Sequence, residues 1–148
     1  MHEKLIHWRR DFHRFPEPAW CEYRTTSLIA AELAKAGYGI KLGDQIVSIS
    51  AIMGRSLDEE QEKRRALAQG ADPQWLESMR ITGLIAELDT GKPGPCVALR
   101  VDLDAVHLQE SMEEQHLPYR AGFASEIPSC MHGCGHDGHA ALGLVLGL

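Results

Sequence analysis

The stretch MHGCGHDGHAALGLVLGL, residues 131–148, joins two different kinds of sequence. From residue 140 onward it contains only apolar residues and glycine, and this half predicts the start of a buried helix. The first half separates potential metal ligands by glycines, whose backbone freedom could aim several side chains at one point. Those potential ligands are His132, Cys134, His136, Asp137 and His139. The stretch therefore predicts a ligand-bearing loop that leads directly into a core helix.

Metal binding is the chemistry that this loop favours. Cys134 and His136 lie two residues apart and offer a thiolate and an imidazole, a pair suited to zinc and to other divalent transition metals. The neighbouring His132, Asp137 and His139 are either further ligands or groups that orient the ligand rings. A purely structural zinc site is the alternative, with ligands Cys130, Cys134, His136 and His139.

A second group of charged residues lies in LRVDLDA, residues 99–105. Asp102 and Asp104 follow an apolar run that predicts a buried strand, and functional groups of α/β sheets often lie where such strands end. Aspartates also cap turns, so the spacing alone leaves both interpretations open.

Composition narrows the function classes. The 148 residues suffice for one domain with a core, and the net charge of −6 argues against a nucleic-acid partner. No apolar run is long enough to span a bilayer, and residues 1–15 do not resemble a signal peptide. We therefore predict a cytoplasmic location and reduced cysteines, with Cys21 and Cys96 as small buried side chains.

The order of predicted elements indicates an α/β domain. Helices are expected over residues 3–15 and 22–36, and strands over 82–91 and 94–104, the second of them buried on both faces. Between them, residues 56–79 predict a polar helical insert that forms a surface excursion. It begins with a capping box of Ser56 and Glu59 and continues in a short helix from Asp72.

Three segments taken together resemble one known family. WRRDFHRFPEPAWCEYRT, VALRVDLDAVHLQE and MHGCGHDGHAA, in this order, are similar to the metal-dependent amidohydrolases of the aminoacylase and peptidase T superfamily. The nearest branch contains hippurate hydrolase and the plant auxin-conjugate hydrolases. The polar insert and the stretch PYRAGFAS most resemble the A-type subunit of the p-aminobenzoyl-glutamate hydrolases in that branch.

The resemblance implies roles for individual residues. Cys134 and His136 correspond to ligands of a two-metal centre holding Mn²⁺ or Zn²⁺, and Asp102 corresponds to the supporting catalytic carboxylate. Asp104, Asp137 and His139 match motif positions to which we assign structural or orienting roles. Arg100 stands where other branches have a histidine ligand, and the Cys134 thiolate would replace that ligand. The implied reaction is hydrolysis by metal-bound water of an amide in an N-acyl amino acid, with p-aminobenzoyl-glutamate as the favoured substrate.

The resemblance also implies the architecture. Residues 1–148 correspond to a truncated N-terminal part of a zinc-peptidase-like catalytic domain with a mixed sheet flanked by helices. The family's glutamate base and its dimerisation domain belong to later sequence, so we expect this chain to be inactive alone. The full-length form would be a dimer or pair with a partner subunit. The alternative function is a non-catalytic metal-binding or subunit-interaction module.

Overall fold

The computed structural model describes residues 1–54 and 58–148, in which helices dominate. The helices are α1 (His2–Arg14), α2 (Tyr23–Lys35), α3 (Gly43–Ile46), α4 (Glu59–Ala68), α5 (Pro73–Ser78), α6 (Leu117–Arg120) and α7 (His136–Gly147). One 3₁₀ turn covers Ile49–Ala51, and the strands are β1 (Gly39–Leu42) and β2 (Leu84–Glu87). The long helices predicted near the start of the chain and at residue 140 are confirmed.

The two strands form a small antiparallel sheet. β1 and β2 pair in the register Gly39 with Glu87 through Leu42 with Leu84. Two isolated bridges lie outside it: Pro18 pairs with Ala105 in parallel orientation, and Val106 pairs with Met131 in antiparallel orientation. The first bridge attaches the end of the segment that carries the aspartates to the connector after α1, and the second attaches it to the start of the glycine-rich stretch.

Helix α7 is the centre of one of the two apolar clusters. It packs against α1 and α2, and its buried side chains join an apolar cluster formed by Phe12, Ile29, Leu33, Ala140, Ala141 and Leu144. Two glycines allow this close approach, because a Cβ at Gly143 would lie 2.9 Å from Val101 Cγ1 and one at Gly147 would lie 2.6 Å from Leu33 Cδ2. Packing therefore explains Gly143 and Gly147, the two glycines in the apolar part of the helix.

The prediction that the insert is a surface excursion is wrong. Helices α4 and α5 cover one side of α2 and enclose a second apolar cluster of Tyr23, Ala30, Leu42, Ala66, Ala71, Leu76 and Met79. The insert has core residues on its inner face, although its sequence is mostly polar. Asp58 caps α4 by accepting a hydrogen bond from the backbone N–H of Gln61. Ser56, the expected capping residue, lies outside the described residues.

A buried carboxylate connects the insert to the start of α2. The Glu17 side chain is inaccessible to solvent and accepts hydrogen bonds from the backbone N–H groups of Arg24 and Thr25, at 2.9 and 2.7 Å. It also accepts one from Arg65 Nη2 of α4 at 2.8 Å. A carboxylate at a helix N-terminus is favoured by the helix dipole. Glu17 therefore fixes the beginning of α2 and holds α4 against it.

The strand predicted over 94–104 does not form. Residues 95–104 have irregular backbone, and Val97 and Leu99 are 86% and 63% exposed. A strand buried on both faces needs a pairing strand and layers that cover it. Within the described part of the chain, β1 and β2 pair only with each other.

Cys96 is exposed, contrary to expectation, whereas Cys21 is buried and all four cysteines are free thiols.

The helices are too short or too polar for a membrane span. In residues 1–54 and 58–148, no helix combines the length and the apolar character needed to cross a bilayer.

Truncation of Leu144 tests the central role of α7. Leu144 is 1% exposed and Leu146, on the same helix, is 69% exposed. We expect Leu144→Ala to lower the free energy of unfolding by about 3 kcal/mol, because it leaves a cavity between α7 and α1. The matched Leu146→Ala should change it by less than about 0.5 kcal/mol. Urea denaturation measures both values, and equal effects would contradict the packing of α7 against α1.

Glu22 gives the stability a specific pH dependence. Burial raises the pKa of this carboxyl from 4.5 to about 7, although a 2.5 Å hydrogen bond from Thr82 Oγ1 acts in the opposite direction. The folded chain therefore binds this proton more tightly than the unfolded chain does. The resulting stability is full below about pH 4.5 and is lost as the pH rises to about 7.

Replacement of Glu22 by glutamine should remove this dependence. Between pH 4.5 and 8, the unfolding free energies of wild type and Glu22→Gln should diverge by about 3 kcal/mol, with the variant more stable at high pH. The control is Glu87→Gln, because the Glu87 carboxyl is 61% exposed and forms an ion pair with Lys41. Parallel pH profiles of wild type and Glu22→Gln would contradict the prediction.

Candidate metal centre

The glycine-rich loop turns directly into α7. Gly135 is the N-cap of this helix and has a φ of 79°, a left-handed conformation that favours glycine. His136 is therefore the first helical residue, and His139 follows three residues later on the same face. Their rings stack with centroids 5.2 Å apart. The helix begins inside the motif, which is earlier than its apolar sequence indicates.

Asp102, His136 and His139 form the candidate metal group. Each offers one ligand atom, and these atoms all lie within 4.8 Å of one another. His139 Nδ1 lies 3.8 Å from Asp102 Oδ2, and all three side chains are reachable by solvent. Two imidazoles and one carboxylate are a donor set that suits zinc and other divalent transition metals. The residues present therefore fit a divalent cation.

Asp104 orients the first of these histidines. His136 Nδ1 lies 2.9 Å from the Asp104 backbone oxygen and 3.0 Å from its carboxylate Oδ1. Because a carbonyl oxygen can only accept, Nδ1 carries the proton and Nε2 keeps its lone pair for a metal. A backbone carbonyl or carboxylate behind a ligating histidine is common in metal sites. The orienting role expected of Asp104 agrees with this contact.

Other sequence-predicted ligands lie apart from the group. Cys134 is exposed in the turn before Gly135 and is not one of the three clustered residues, so its role as a ligand stays a prediction. The structural zinc set with Cys130 is not assembled within the described residues. Cys130 is buried, its thiol lies 3.8 Å from the Pro16 carbonyl oxygen, and burial raises its pKa to about 11. A thiol of this kind is a poor ligand.

His132 and Asp137 point inward, away from the exposed group. His132 is 5% exposed, its two ring nitrogens have no hydrogen-bond partner among the described residues, and burial lowers its pKa to about 4. Asp137 is 1% exposed, and its Oδ2 accepts hydrogen bonds from His13 Nδ1 and Arg9 Nε, each at 2.9 Å. Burial acts to raise the pKa of Asp137, but the His13 hydrogen bond and the charges of His132, Arg9 and His13 together outweigh it, so the pKa is lowered. The orienting role expected of Asp137 therefore has a structural basis.

His13 and Glu110 were not singled out from the sequence. His13 Nε2 lies 2.8 Å from Glu110 Oε1, so each ring nitrogen of His13 faces a carboxylate. Burial acts to lower the pKa of His13, but the two carboxylates outweigh it and the pKa is raised. One signal was available: His13 lies in the segment WRRDFHRFPEP, which carries part of the family resemblance and supplies the helix packed on α7.

The sequence is similar to known metal-dependent hydrolases. A family model described as peptidase family M20/M25/M40 matches residues 98–147, which include the whole candidate group. The chain is 50% identical to the A-type subunit of the Escherichia coli p-aminobenzoyl-glutamate hydrolase, over 97% of this chain and 34% of that protein. It is 44% identical to indole-3-acetyl-aspartic acid hydrolase of Enterobacter agglomerans, over 97% of this chain and 34% of that protein.

Solved structures agree with the sequence similarity. The fold matches an aminobenzoyl-glutamate utilization protein from Klebsiella pneumoniae with a TM-score of 0.75 and 33% identity, over 99% of this chain and 31% of that one. It also matches a Bacillus subtilis protein, described as a dinuclear metal binding peptidase from the M20 family, with a TM-score of 0.59 and 31% identity. This second match covers the same shares of the two chains, 99% and 31%. The chain thus spans about a third of the length of the relatives it matches. The expected partial α/β zinc-peptidase-like fold is confirmed.

Removal of single ligands tests the candidate group. We expect the purified chain to bind Zn²⁺ or Mn²⁺ and Asp102→Asn and His139→Ala each to weaken binding at least tenfold, since each removes one donor. Isothermal titration calorimetry measures the dissociation constants. His107→Ala is the control, because His107 is exposed and lies outside the group. Equal affinities for all four proteins would exclude these residues as ligands.

Proposed function

We propose that this chain belongs to the peptidase family M20/M25/M40 and that its Asp102–His136–His139 group is part of the metal centre of an amide hydrolase. The observation that carries the proposal is the clustering of these three ligand atoms within 4.8 Å of one another. They come from two segments separated in sequence, and both lie in the part of the chain that matches the family model.

Cys134 and His136 are proposed as ligands, with Asp102 as the carboxylate that supports the centre. Exposure of Cys134 leaves its thiol accessible to an ion that also contacts His136. The Bacillus subtilis relative is described as dinuclear, which supports a site for two divalent ions. Zinc and manganese both suit this mixture of thiolate, imidazole and carboxylate, and the identity of the native ion stays a prediction.

The protein residues would hold and orient the reacting groups. When bound, a divalent cation lowers the pKa of the attacking water and polarises the scissile carbonyl. Asp104 fixes the His136 ring through Nδ1, which keeps Nε2 directed away from the backbone. The family resemblance implies a glutamate as general base for the attacking water, and the group itself contains no glutamate. We therefore propose that these residues bind the metal but do not complete the reaction.

N-acyl amino acids with an aromatic acyl group are the proposed substrates. Two of the relatives are named for such compounds, one for p-aminobenzoyl-glutamate and one for indole-3-acetyl-aspartate. Both compounds join an aromatic acyl group to an acidic amino acid through an amide. Because the Escherichia coli relative is 50% identical to this chain in sequence, we propose p-aminobenzoyl-glutamate as the substrate.

The wider context of the site is also a proposal. We propose that residues 1–148 correspond to the N-terminal portion of a catalytic domain, which is supported by their match to about a third of each relative. The Escherichia coli relative is itself named as one subunit of its enzyme, which supports a partner subunit or a dimer for the complete protein. A cytoplasmic location stays a prediction.

Ligand binding and turnover can be measured separately on the purified chain. We expect equilibrium dialysis with Zn²⁺ or Mn²⁺ to show metal-dependent binding of p-aminobenzoyl-glutamate that a chelator abolishes. Free glutamate should bind more weakly, because it lacks the amide and the aromatic acyl group. We expect no release of p-aminobenzoate, since the glutamate base that the family resemblance implies is not among the residues of the metal group.

Three outcomes would contradict parts of this proposal. Failure of the chain to bind either ion would overturn the metal centre. Equal binding of p-aminobenzoyl-glutamate with and without metal would overturn the proposal that this compound binds at the metal centre. Release of p-aminobenzoate by the wild type but not by Cys134→Ser would show that the chain contains a complete active site.

A further inference from the structure

We propose that His13 is a positioning residue for the metal group, acting through Asp137 to fix the direction in which α7 presents His136 and His139. This inference rests on the proposed function, because it assumes that these histidines bind a metal. His13 itself lies in α1 and is not part of the clustered group. Its influence has to pass through a neighbour of the ligands.

Asp137 is that neighbour. It lies between the two histidines in the first turn of α7, and its side chain is buried while His139 remains exposed. Rotation of this turn about the helix axis would move Asp137 and both ligand rings together. A bond that fixes Asp137 therefore also fixes the rings.

The attachment of Asp137 depends on one oxygen. Both of its hydrogen bonds, from His13 Nδ1 and Arg9 Nε, go to Oδ2 at 2.9 Å. Oδ1 is buried and has no hydrogen-bond partner among the described residues. Arg9 is 42% exposed, whereas the His13 side chain is 4% exposed, so the His13 bond is the one shielded from water. Its loss would leave Asp137 held mainly by a partly solvated arginine.

The other side of His13 is fixed as well. Its Nε2 faces Glu110 Oε1, and the same oxygen faces His116 Nε2 at 2.7 Å. Glu110 Oε2 accepts the backbone N–H of Ser125 at 2.5 Å. Each ring nitrogen of His13 therefore lies within hydrogen-bond distance of a carboxylate oxygen, Nδ1 at 2.9 Å from Asp137 Oδ2 and Nε2 at 2.8 Å from Glu110 Oε1. The buried His13 ring thus connects α7 to the 105–130 segment.

Two substitutions separate positioning from general stabilisation. The amide nitrogen of asparagine can take the place of Nδ1 and donate to Asp137, whereas that of glutamine reaches the place of Nε2 and donates to Glu110. Each variant loses one of the two buried bonds, so a merely structural role predicts similar losses of stability and similar metal binding. We expect His13→Asn to bind Zn²⁺ nearly as the wild type does and His13→Gln to bind about tenfold more weakly.

The d–d absorption spectrum of the Co²⁺-substituted chain gives a second readout. Because it reports the geometry of the ligands around the ion, we expect His13→Asn to keep the wild-type spectrum and His13→Gln to change it. Thermal unfolding of the metal-free chains shows whether each variant is folded. Neither readout depends on turnover.

Substitution of two arginines of α1 tests the same inference if neither His13 variant folds. Arg9 and Arg10 both lie over the Phe123 ring, at 5.5 and 4.8 Å from its centroid, but only Arg9 also contacts Asp137. Arg9→Met should weaken Zn²⁺ binding and alter the Co²⁺ spectrum, and Arg10→Met should change neither. Both variants remove one cation that lies over Phe123 from the same helix, so the contact with Asp137 is the difference between them, and thermal unfolding shows whether each is folded.

The outcomes distinguish this inference from the proposed function. If the wild type binds no divalent ion, the proposed function is wrong and the inference is lost with it. If the wild type binds the ion but His13→Asn and His13→Gln are alike in affinity and spectrum, the inference alone is wrong. If neither His13 variant folds, equal metal binding by Arg9→Met and Arg10→Met overturns it.

Discussion

The hydrogen bond between His13 and Asp137 is the interaction on which the arrangement of the chain depends. It joins the first helix to the start of the last one across 124 residues of sequence, and both side chains are nearly inaccessible to solvent. Burying an isolated carboxylate is costly, whereas burying it with hydrogen bonds from His13 and Arg9 and within the first turn of a helix is tolerated. The contact therefore specifies where α7 begins relative to α1, and the apolar packing of α7 follows from that.

The two faces of α7 have different roles. Leu144 and the alanines before it close the core against α1 and α2, with glycines where the helix meets Val101 and Leu33 most closely. The exposed side of the first turn carries His136 and His139, which meet Asp102 from a separate segment. A rigid, buried helix is a good support for a ligand set, because small rotations at its start would change every ligand direction together.

Much of the fold and of the candidate site could be predicted from the sequence. The features that could not be predicted have one physical cause in common. Local patterns predicted α1, α2 and the helix from Asp72, because helix periodicity, caps and proline act within a few residues. The prediction of a strand over residues 94–104 was wrong, because an apolar run becomes a strand only when other strands pair with it. The insert was misjudged for a related reason: its charged surface predicts exposure, but Ala66 and Leu76 on its inner face enclose a core with Tyr23.

The sequence by itself determined which ligand-type residues are available: glycine-spaced residues at 132–139, two aspartates at 102 and 104, and three segments whose order resembles one family. Those features are local, so residue types and spacing are sufficient to show them. Only the tertiary structure decided which ligands meet. It joined Asp102 and His139 to His136, turned His132 and Asp137 inward, and placed His13 behind them. Such contacts depend on the relative rotation of helices far apart in the chain, which no local pattern records.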